Sequence, residues 1–287
     1  MGKQKRSENT YQKINTIFKR DANNVIMPYD DFVEPEFEFL RFATWRAEEK
    51  IDGTNMRIEV TSELNYCYPH PDCYGDEFSG VLDGVIFTVS YKGKTDNAQI
   101  PKELLKFMQE KYPEEKVLAA LGLKKFIPVE EWETEHNWLT KEQIPLMYTI
   151  YGEGYGRGIQ KGGGNYIKDG VGFIVFDVKV NDLYLLTDSR DMIAEKLGAP
   201  VVPFMGYFTF DEAIELVRNG FKSNIAENKD HLAEGLVLRT ECGLKNRMGK
   251  RLITKIKTQD FVKYRNVYGT DAPVNQPTNT TMGNGES

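Results

Sequence analysis

The sequence predicts an α+β fold in which mainly antiparallel sheets carry flanking helices. Segments with strand and helix patterns follow one another in mixed order, without regular strand–helix–strand alternation. No repeat of fixed period is present in the sequence. The chain of 287 residues is 40% hydrophobic and 12% aromatic, so it can bury a large core without disulfide bonds.

The first half of the chain is expected to form two strands and a helix. Residues 25–40 mix two prolines with acids and aromatics, which predicts an extended approach to the first strand. Residues 55–61 alternate apolar and polar side chains, and residues 84–91 are rich in β-forming residues. We expect these two strands to pair across the loop 64–83. A helix is predicted to start at Pro101, because proline suits the first helical turn.

The second half continues with strands, two glycine-terminated helices and a polar tail. The predicted helices end at Gly198 and Gly220, since glycine commonly follows a helix C-terminus. The residues from about 269 onward lack hydrophobic periodicity, which predicts a disordered tail. The expected strands cover 146–151, 172–180, 183–187, 234–240 and 251–257, and the helices cover 189–197 and 210–218.

Cysteine usage and the N-terminus predict a soluble, cytoplasmic protein. The three cysteines are odd in number and scattered, which argues against a disulfide framework and favours a reducing compartment. The first residues are polar and basic, without the apolar region of a signal peptide. No apolar run reaches the length of a membrane span, so no membrane partner is expected.

The net charge of −6 hides an uneven distribution of charge. Residues 239–265 carry a local charge of +7 and residues 1–20 carry +5, so the remainder carries −18. A phosphate backbone needs a basic surface only where it lies on the protein. The two basic segments therefore permit nucleic-acid binding, although each lysine could equally be ordinary solvated surface.

Five short segments that follow one another along the chain carry residues that suit one kind of chemistry. They supply a nucleophilic lysine in a Lys-x-Asp-Gly string, a carboxylate for a ribose, an aromatic for a base, a carboxylate for a metal and two cations for phosphates. A single four-residue string is a weak signal, but five consistent segments support each other. The segments are Glu49–Asn55, Tyr151–Gly154, Phe173–Asp177, Ala233–Arg239 and Thr254–Lys257.

On these segments the chain resembles the covalent nucleotidyltransferases of the ligase and capping-enzyme superfamily. It is most similar to phage-type ATP-dependent RNA ligases of the second type, a group that includes the RNA-editing ligases. The resemblance runs from Tyr11 to Phe261. It implies one nucleotidyltransferase (ATP-grasp-like) domain over residues 1–268, with two sheets that form a nucleotide cleft. The tail 269–287 would follow, without a recognisable C-terminal OB-fold.

The resemblance also implies a role for each site residue. Lys50 would be the nucleophile, and Glu234 would hold Mg²⁺, for which Mn²⁺ could substitute, with Asp177 as a second metal candidate. The catalytic set would be Lys50, Asp52, Glu234, Lys255 and Lys257. The ATP-binding set would be Glu49, Lys50, Ile51, Asn55, Lys94, Glu153, Phe176, Lys255 and Lys257.

Elementary chemistry is consistent with the roles of Lys50, Lys255 and Lys257, whereas Lys94 departs from the family pattern. A free lysine has a pKa of about 10.4, so a nucleophilic lysine needs desolvation or neighbouring cations. Lys255 and Lys257 alternate with Ile256, so a strand would point both toward one face, where they could stabilise charge on an α-phosphate. Lys94 stands where the family usually has an arginine, and a lysine lacks the bidentate fork of arginine.

Other functional sites are disfavoured by spacing. Residues 151–158 carry glycine at every second position, which differs from the dinucleotide-binding pattern, and no P-loop lysine motif is present. The segment Cys67–Cys73, with His70 between its cysteines, offers three local metal ligands, whereas structural zinc usually takes four, so an ordinary insertion is favoured. His136 and His231 have no nucleophile partner that would indicate a hydrolase.

The predicted function is that of an ATP-dependent RNA ligase. It would join 5′-phosphate and 3′-hydroxyl RNA ends through lysyl-AMP and adenylated-RNA intermediates, in a cytoplasm that could be that of a phage host. Alternatives are an ATP-dependent DNA ligase, a GTP-using capping-type enzyme, or an inactive nucleic-acid-binding protein. Only 30 residues follow Lys257. End-joining is therefore expected to depend on the basic segments, on a homodimer partner or on an accessory protein.

Overall fold

The computed structural model describes residues 10–27, 32–67, 81–128, 131 and 146–271, and the chain divides into two units that carry one sheet each. The two mainly antiparallel sheets and the helices around them confirm the predicted α+β class. The first unit comprises Met1–Gln12, Asp52–Val202 and Ala226–Asn228, and the second comprises Lys13–Ile51, Pro203–Ile225 and Lys229–Ser287.

The first unit contains a six-stranded sheet in which every neighbouring pair is antiparallel. The predicted pairing of the two strands that flank the loop 64–83 is confirmed. In spatial order the strands are β5 (Phe126–Pro128), β4 (Val81–Gly93), β3 (Thr54–Cys67), β6 (Met147–Gly156), β7 (Val171–Val180) and β8 (Leu183–Tyr184).

Helices cover one face of this sheet and bury its apolar side chains. Met56, Ile58 and Val60 alternate along β3 and all lie in the core, as period-two patterning requires. Packing requires glycine at positions 152 and 154. A Cβ on Gly152 would lie 2.4 Å from the Phe173 ring, and a Cβ on Gly154 would lie 2.3 Å from the Leu104 side chain. The alternating glycines therefore leave room for these apolar side chains. The helices of this unit are α2 (Lys102–Lys111), α3 (Glu114–Ala120), α4 (Gly163–Tyr166) and α5 (Thr187–Leu197).

The second unit contains a five-stranded sheet and three helices. Its one parallel contact joins β1 to β11, and the other pairs are antiparallel. In spatial order the strands are β1 (Asn15–Thr16), β11 (Ile253–Lys257), β10 (Gly235–Arg239), β2 (Trp45–Lys50) and β9 (Phe204–Phe208). The helices are α1 (Pro35–Phe39), α6 (Phe210–Asn219) and α7 (Thr258–Tyr268).

Aromatic packing organises the core of this second unit. Trp45 is fully buried, and its ring stacks on Phe210 with the centroids 4.4 Å apart. The Trp45 indole donates to the carbonyl of Leu40 at 3.1 Å, so its polar atom is satisfied. Thr209 and Glu212 form a capping box that starts α6 and directs Phe210 inward. The core therefore lies on one face of the sheet and leaves the other face polar.

Several predicted boundaries need correction. Residues 25–40 are not all extended, because Pro35 starts the short helix α1, which buries Phe37 against Trp45 and Phe210. The predicted strand 183–187 ends at Tyr184, since Thr187 already begins α5. The contacts of Phe37 come from distant segments, which local patterning does not reveal.

Other elements were not predicted, or lie beyond the described residues. The sequence did not indicate the strands β1, β2, β5 and β9 or the helices α3, α4 and α7. Most of the loop 64–83 and of the tail 269–287 lies outside the described residues. Among the residues described, no helix is long and apolar enough to cross a membrane.

We expect Trp45→Ala to lower the free energy of unfolding by about 3–5 kcal/mol, because it removes a buried ring and leaves a cavity. Phe39→Ala is the matched control: Phe39 is 94% exposed, so its loss should change stability by less than about 0.5 kcal/mol. Urea unfolding of both variants measures the difference. Equal stabilities would mean that Trp45 does not anchor this core.

Candidate functional site

Three adjacent strands of the second unit bring a cluster of lysines to one carboxylate. The register pairs Gly235 of β10 with Lys50 on one side and Lys257 on the other. The Lys50 ammonium donates a short hydrogen bond to Glu234, and Lys257 Nζ lies 2.7 Å from the other oxygen of the same carboxylate. Lys255 lies two residues earlier on the same face of β11. The structure thus brings Lys50, Glu234 and Lys257 together.

The charges of this cluster shift the pKa values of its members. Burial alone would raise the pKa of Glu234, but the neighbouring Lys50 and Lys257 outweigh burial and lower it. Burial, followed by repulsion from Lys257 and Lys50, lowers the pKa of Lys255 to about 8. Glu234 is therefore held as a carboxylate, and Lys255 is a cation whose charge is lost in mildly alkaline solution.

Gly235 aligns Glu234 with the two lysines. Its φ of 149° is a backbone conformation that residues with side chains rarely adopt. A Cβ at this position would lie 1.9 Å from the carbonyl oxygen of Ile256, so no larger residue fits. This close approach of β10 to β11 places the carboxylate at the start of the strand.

The residues that flank Lys50 anchor its strand. Glu49 is buried, and its carboxylate accepts hydrogen bonds from the Ser223 hydroxyl and, at 2.8 Å, from the Asn224 backbone amide. Burial raises the pKa of Glu49, and these two hydrogen bonds offset part of that effect. Ile51 is also buried. ATP binding through the backbone around Glu49 and Ile51 stays a prediction, and sequence reasoning missed Ser223 and Asn224.

In the first unit, Asn55 and Glu153 lie directly opposite each other on β3 and β6. The Asn55 side-chain oxygen is buried and has no hydrogen-bond partner among the described residues. An unsatisfied buried acceptor costs about 1–3 kcal/mol, so a hydrogen-bond donor at this position would be stabilising. A ligand that donates a hydrogen bond here would satisfy Asn55. The backbone amide of the neighbouring Asp52 donates to the Tyr166 hydroxyl at 3.3 Å.

A β-bulge in β7 positions Phe176 and Asp177. The register shifts between Tyr151 and Gly152, so the partner strand has an extra residue at this point and both side chains reach Tyr11. The Tyr11 hydroxyl donates to Asp177 at 2.8 Å, and its ring centroid lies 4.9 Å from that of Phe176. Phe176 stays partly exposed, whereas Asp177 is fully buried.

This environment bears on the second metal candidate. A hard cation prefers several oxygen ligands, but Asp177 is fully buried and its Oδ2 accepts from the Tyr11 hydroxyl. Among the residues that the structure describes, no group of three or more His, Cys, Asp or Glu side chains could hold a metal ion. A metal role for Asp177 stays a prediction that these contacts do not favour.

A buried arginine that sequence reasoning missed holds the turn that carries Lys94. The Arg57 guanidinium is fully buried; it donates to the carbonyls of Gly93 and Lys94, at 2.6 and 2.9 Å, and pairs with Glu59 and Asp96. Lys94 itself is exposed. The signal was present in the sequence, since Arg57 and Glu59 alternate with three apolar residues and therefore share the opposite face of β3.

The Cys67–Cys73 metal hypothesis and His136 lie almost wholly outside the described residues. The described backbone of residues 151–156 is strand β6, which agrees with the rejection of a dinucleotide-binding loop there.

Comparison with known families identifies this constellation. The sequence profile of the RNA ligase family matches residues 43–257, about three quarters of the chain, and this range includes Lys50, Glu153, Glu234 and Lys257. The chain belongs to the RNA ligase family. No curated protein sequence matches it significantly.

One solved structure supports the fold, and two others are similar to this chain at lower scores. A Naegleria gruberi RNA ligase variant with ATP and manganese aligns with a TM-score of 0.50 at 14% identity, covering 90% of this chain and 58% of that one. A second variant of that ligase, without ligand, aligns with a TM-score of 0.47 at 15% identity, covering 92% of this chain and 64% of that one. The same ligase with pyrophosphate aligns at 0.46 and 16% identity, covering 90% and 64%. This RNA ligase family chain therefore spans about three fifths of the length of these proteins.

The lowered pKa of Lys255 predicts a pH dependence of stability. The folded-state pKa of about 8 lies below the ordinary lysine value, so above pH 8 the unfolded state binds more protons than the folded state. The stability of the wild type relative to Lys255→Met should therefore rise between about pH 8 and pH 10, by at most about 1.4 kcal/mol per pH unit. Urea unfolding across this range tests the expectation. The exposed Lys245→Met is the control, and a flat difference for Lys255→Met would contradict it.

Proposed function

We propose that this RNA ligase family member is an ATP-dependent RNA ligase that works through a lysyl-AMP intermediate. The single observation that carries the proposal is the cluster in which Lys50 and Lys257 share the Glu234 carboxylate, with Lys255 on the same face. A reactive lysine beside a carboxylate and further cations is the arrangement that attack on a phosphate ester requires.

In the first step, Lys50 Nζ attacks the α-phosphorus of ATP. The Lys50 ammonium first releases one proton to water. A nitrogen–phosphorus bond then forms, the bond to the bridging oxygen breaks, pyrophosphate leaves with the electron pair, and Nζ releases a second proton to water. Before the attack, Lys50 must exchange its hydrogen bond to Glu234 for contact with the phosphate. Lys255 and Lys257 stabilise the charge that develops on the α-phosphate, since both lie on the face that carries Lys50.

In this proposal the nucleotide is bound by residues that the sequence predicts. Asn55 offers a buried oxygen that lacks a partner among the described residues, and Glu153 lies opposite it to accept from a ribose hydroxyl. Phe176 is a partly exposed aromatic at a bulge, suited to stacking on adenine. Lys94 supplies a cation for a phosphate, and Asp52 supports the nucleophile loop.

In this proposal Glu234 would hold a magnesium ion after Lys50 has released its hydrogen bond to the carboxylate. Magnesium is commonly bound by one or two carboxylates together with substrate phosphates, and Glu234 is held ionised. When bound, the ion neutralises charge on the phosphates of ATP, and manganese can substitute for it. The solved Naegleria gruberi ligase variant with ATP and manganese supports this choice of nucleotide and divalent metal.

Two further steps complete RNA sealing. A 5′-phosphate oxygen of RNA attacks the AMP phosphorus and displaces Lys50, which gives adenylated RNA. A 3′-hydroxyl then attacks the 5′-phosphorus, a phosphodiester forms, and AMP leaves. A cytoplasmic location belongs to the same proposal and is supported by the scarcity of cysteines. A homodimer or an accessory protein could assist sealing.

Lys50→Ala should abolish labelling of the protein by α-labelled ATP, because no other group supplies the covalent bond to AMP. Lys106→Ala, on the exposed surface of α2, is the control and should label like the wild type. Phosphorimaging of denaturing gels measures the label. Equal labelling of Lys50→Ala would refute the nucleophile. A parallel panel of GTP and of DNA ends distinguishes the capping-type and DNA-ligase alternatives.

Glu234→Ala should weaken the apparent affinity for magnesium in the labelling reaction by about 10- to 100-fold, while the protein stays folded. Glu234 lies at a strand end beside glycine, so its removal leaves little cavity. Glu103→Ala, which removes an exposed acid of α2, is the control with the same loss of charge. A magnesium titration that matches the wild type would mean that another carboxylate holds the ion.

A further inference from the structure

The polar face of the five-stranded sheet continues beyond the lysine cluster. The register of β9, β2 and β10 forms one row from Tyr207, Arg46 and Arg239, and the next row contains Phe204 and Glu48. Lys50 lies one row further along β2. At about 3.3 Å per residue, Arg46 is about 13 Å from Lys50 along the strand. The far end of this face is therefore a short reach from the nucleophile.

Two aromatic rings at this end are exposed and held in place. Phe204 and Tyr207 are 46% and 51% exposed, and their ring centroids lie 5.0 Å apart. The Arg46 guanidinium lies 4.4 Å from the Phe204 centroid. The Tyr207 hydroxyl donates to Glu241 at 2.9 Å. These contacts orient both rings before any ligand arrives, so binding loses little side-chain entropy.

A basic hairpin follows β10 at the same end of the sheet. Residues 240–251 form a tight turn around Asn246, whose side-chain oxygen accepts from the amides of Met248 and Lys250, both at 3.0 Å. The backbones of Lys245 and Arg251 form an antiparallel bridge across the hairpin. The turn is therefore ordered by its own hydrogen bonds.

The exposed cations of the hairpin distinguish it from the rest of the basic segment 239–265. Lys245, Arg247 and Lys250 are exposed and make no ion pair with any other described residue. In contrast, Lys263 donates to the backbone carbonyls of Asn23 and Asn24.

The whole region has a net positive charge. When the strand residues Arg46, Glu48 and Arg239 are counted with the hairpin, this end of the sheet carries six cations against two acids. The cations are Arg46, Arg239, Lys245, Arg247, Lys250 and Arg251, and the acids are Glu48 and Glu241.

We propose that this hairpin and the exposed rings beside it, which we name the hairpin–aromatic surface (Phe204, Tyr207 and residues 240–251), bind a single strand of the RNA substrate. Exposed aromatics that stack on bases, combined with cations that follow the backbone, are the features that bind single strands without sequence preference. This inference rests on the proposed function for the identity of the strand, while the surface itself is defined by its own residues. The bound strand would lead toward Lys50 along the polar face.

The test measures the binding of a fluorescein-labelled single-stranded RNA to the full chain by anisotropy, without ATP, over a series of salt concentrations. Changing Lys245, Arg247 and Lys250 together to Gln should weaken binding and lower the slope of log affinity against log salt by about 2, since each phosphate contact contributes about 0.7. The matched control changes three exposed lysines of α2, Lys102, Lys106 and Lys111, to Gln. It alters the net charge equally and should keep the wild-type slope.

A second variant separates stacking from charge. Phe204→Ala with Tyr207→Ala should weaken binding by about 5- to 150-fold per base lost, without a change of salt slope. A hairpin variant that binds RNA like the α2 control would overturn the proposal. Unchanged affinity of the aromatic variant would overturn the stacking part. Labelling by α-labelled ATP should be normal in both variants; if the wild type fails to label, the proposed function fails while the binding result stands.

Discussion

The sharing of one carboxylate by Lys50 and Lys257 constrains the whole five-stranded sheet. Three partly buried charges lie within hydrogen-bond reach only because β2, β10 and β11 keep one register, and Gly235 permits the close approach that this register needs. Removing one member of such a group leaves the others without a counter-charge, which is more harmful than replacing the whole group. The register of the sheet is therefore constrained by its polar face as well as by its core.

In both units the two faces of the sheet have different roles. One face buries apolar and aromatic side chains, and this burial supplies the stability. The other face holds charged groups in networks, such as Arg57 with Glu59 in the first unit and Arg239 with Glu48 in the second. Buried ion pairs contribute little net stability. We interpret them as groups that position functional residues, such as the turn of Lys94.

The proposed reaction requires opposite charge states from neighbouring lysines. The nucleophile must be neutral when it attacks, whereas the lysines that hold the phosphate must stay charged. Lys255 has a pKa lowered to about 8, so its charged form is only weakly favoured near neutral pH. A bound phosphate would favour its charged form, because an anion nearby stabilises a cation. Substrate binding and protonation are thus coupled at this position.

The sequence by itself determined the family, the order of the site residues and most of the strands. Lys50, Glu234 and Lys257 could be named because a covalent chemistry needs particular side chains at a particular spacing, and alternation along a strand is a local property. The tertiary structure alone decided which carboxylate the lysines share, which partners hold Glu49, and that Arg57 orders the turn of Lys94. These facts depend on pairing between residues far apart in the chain, and local patterning does not encode that register.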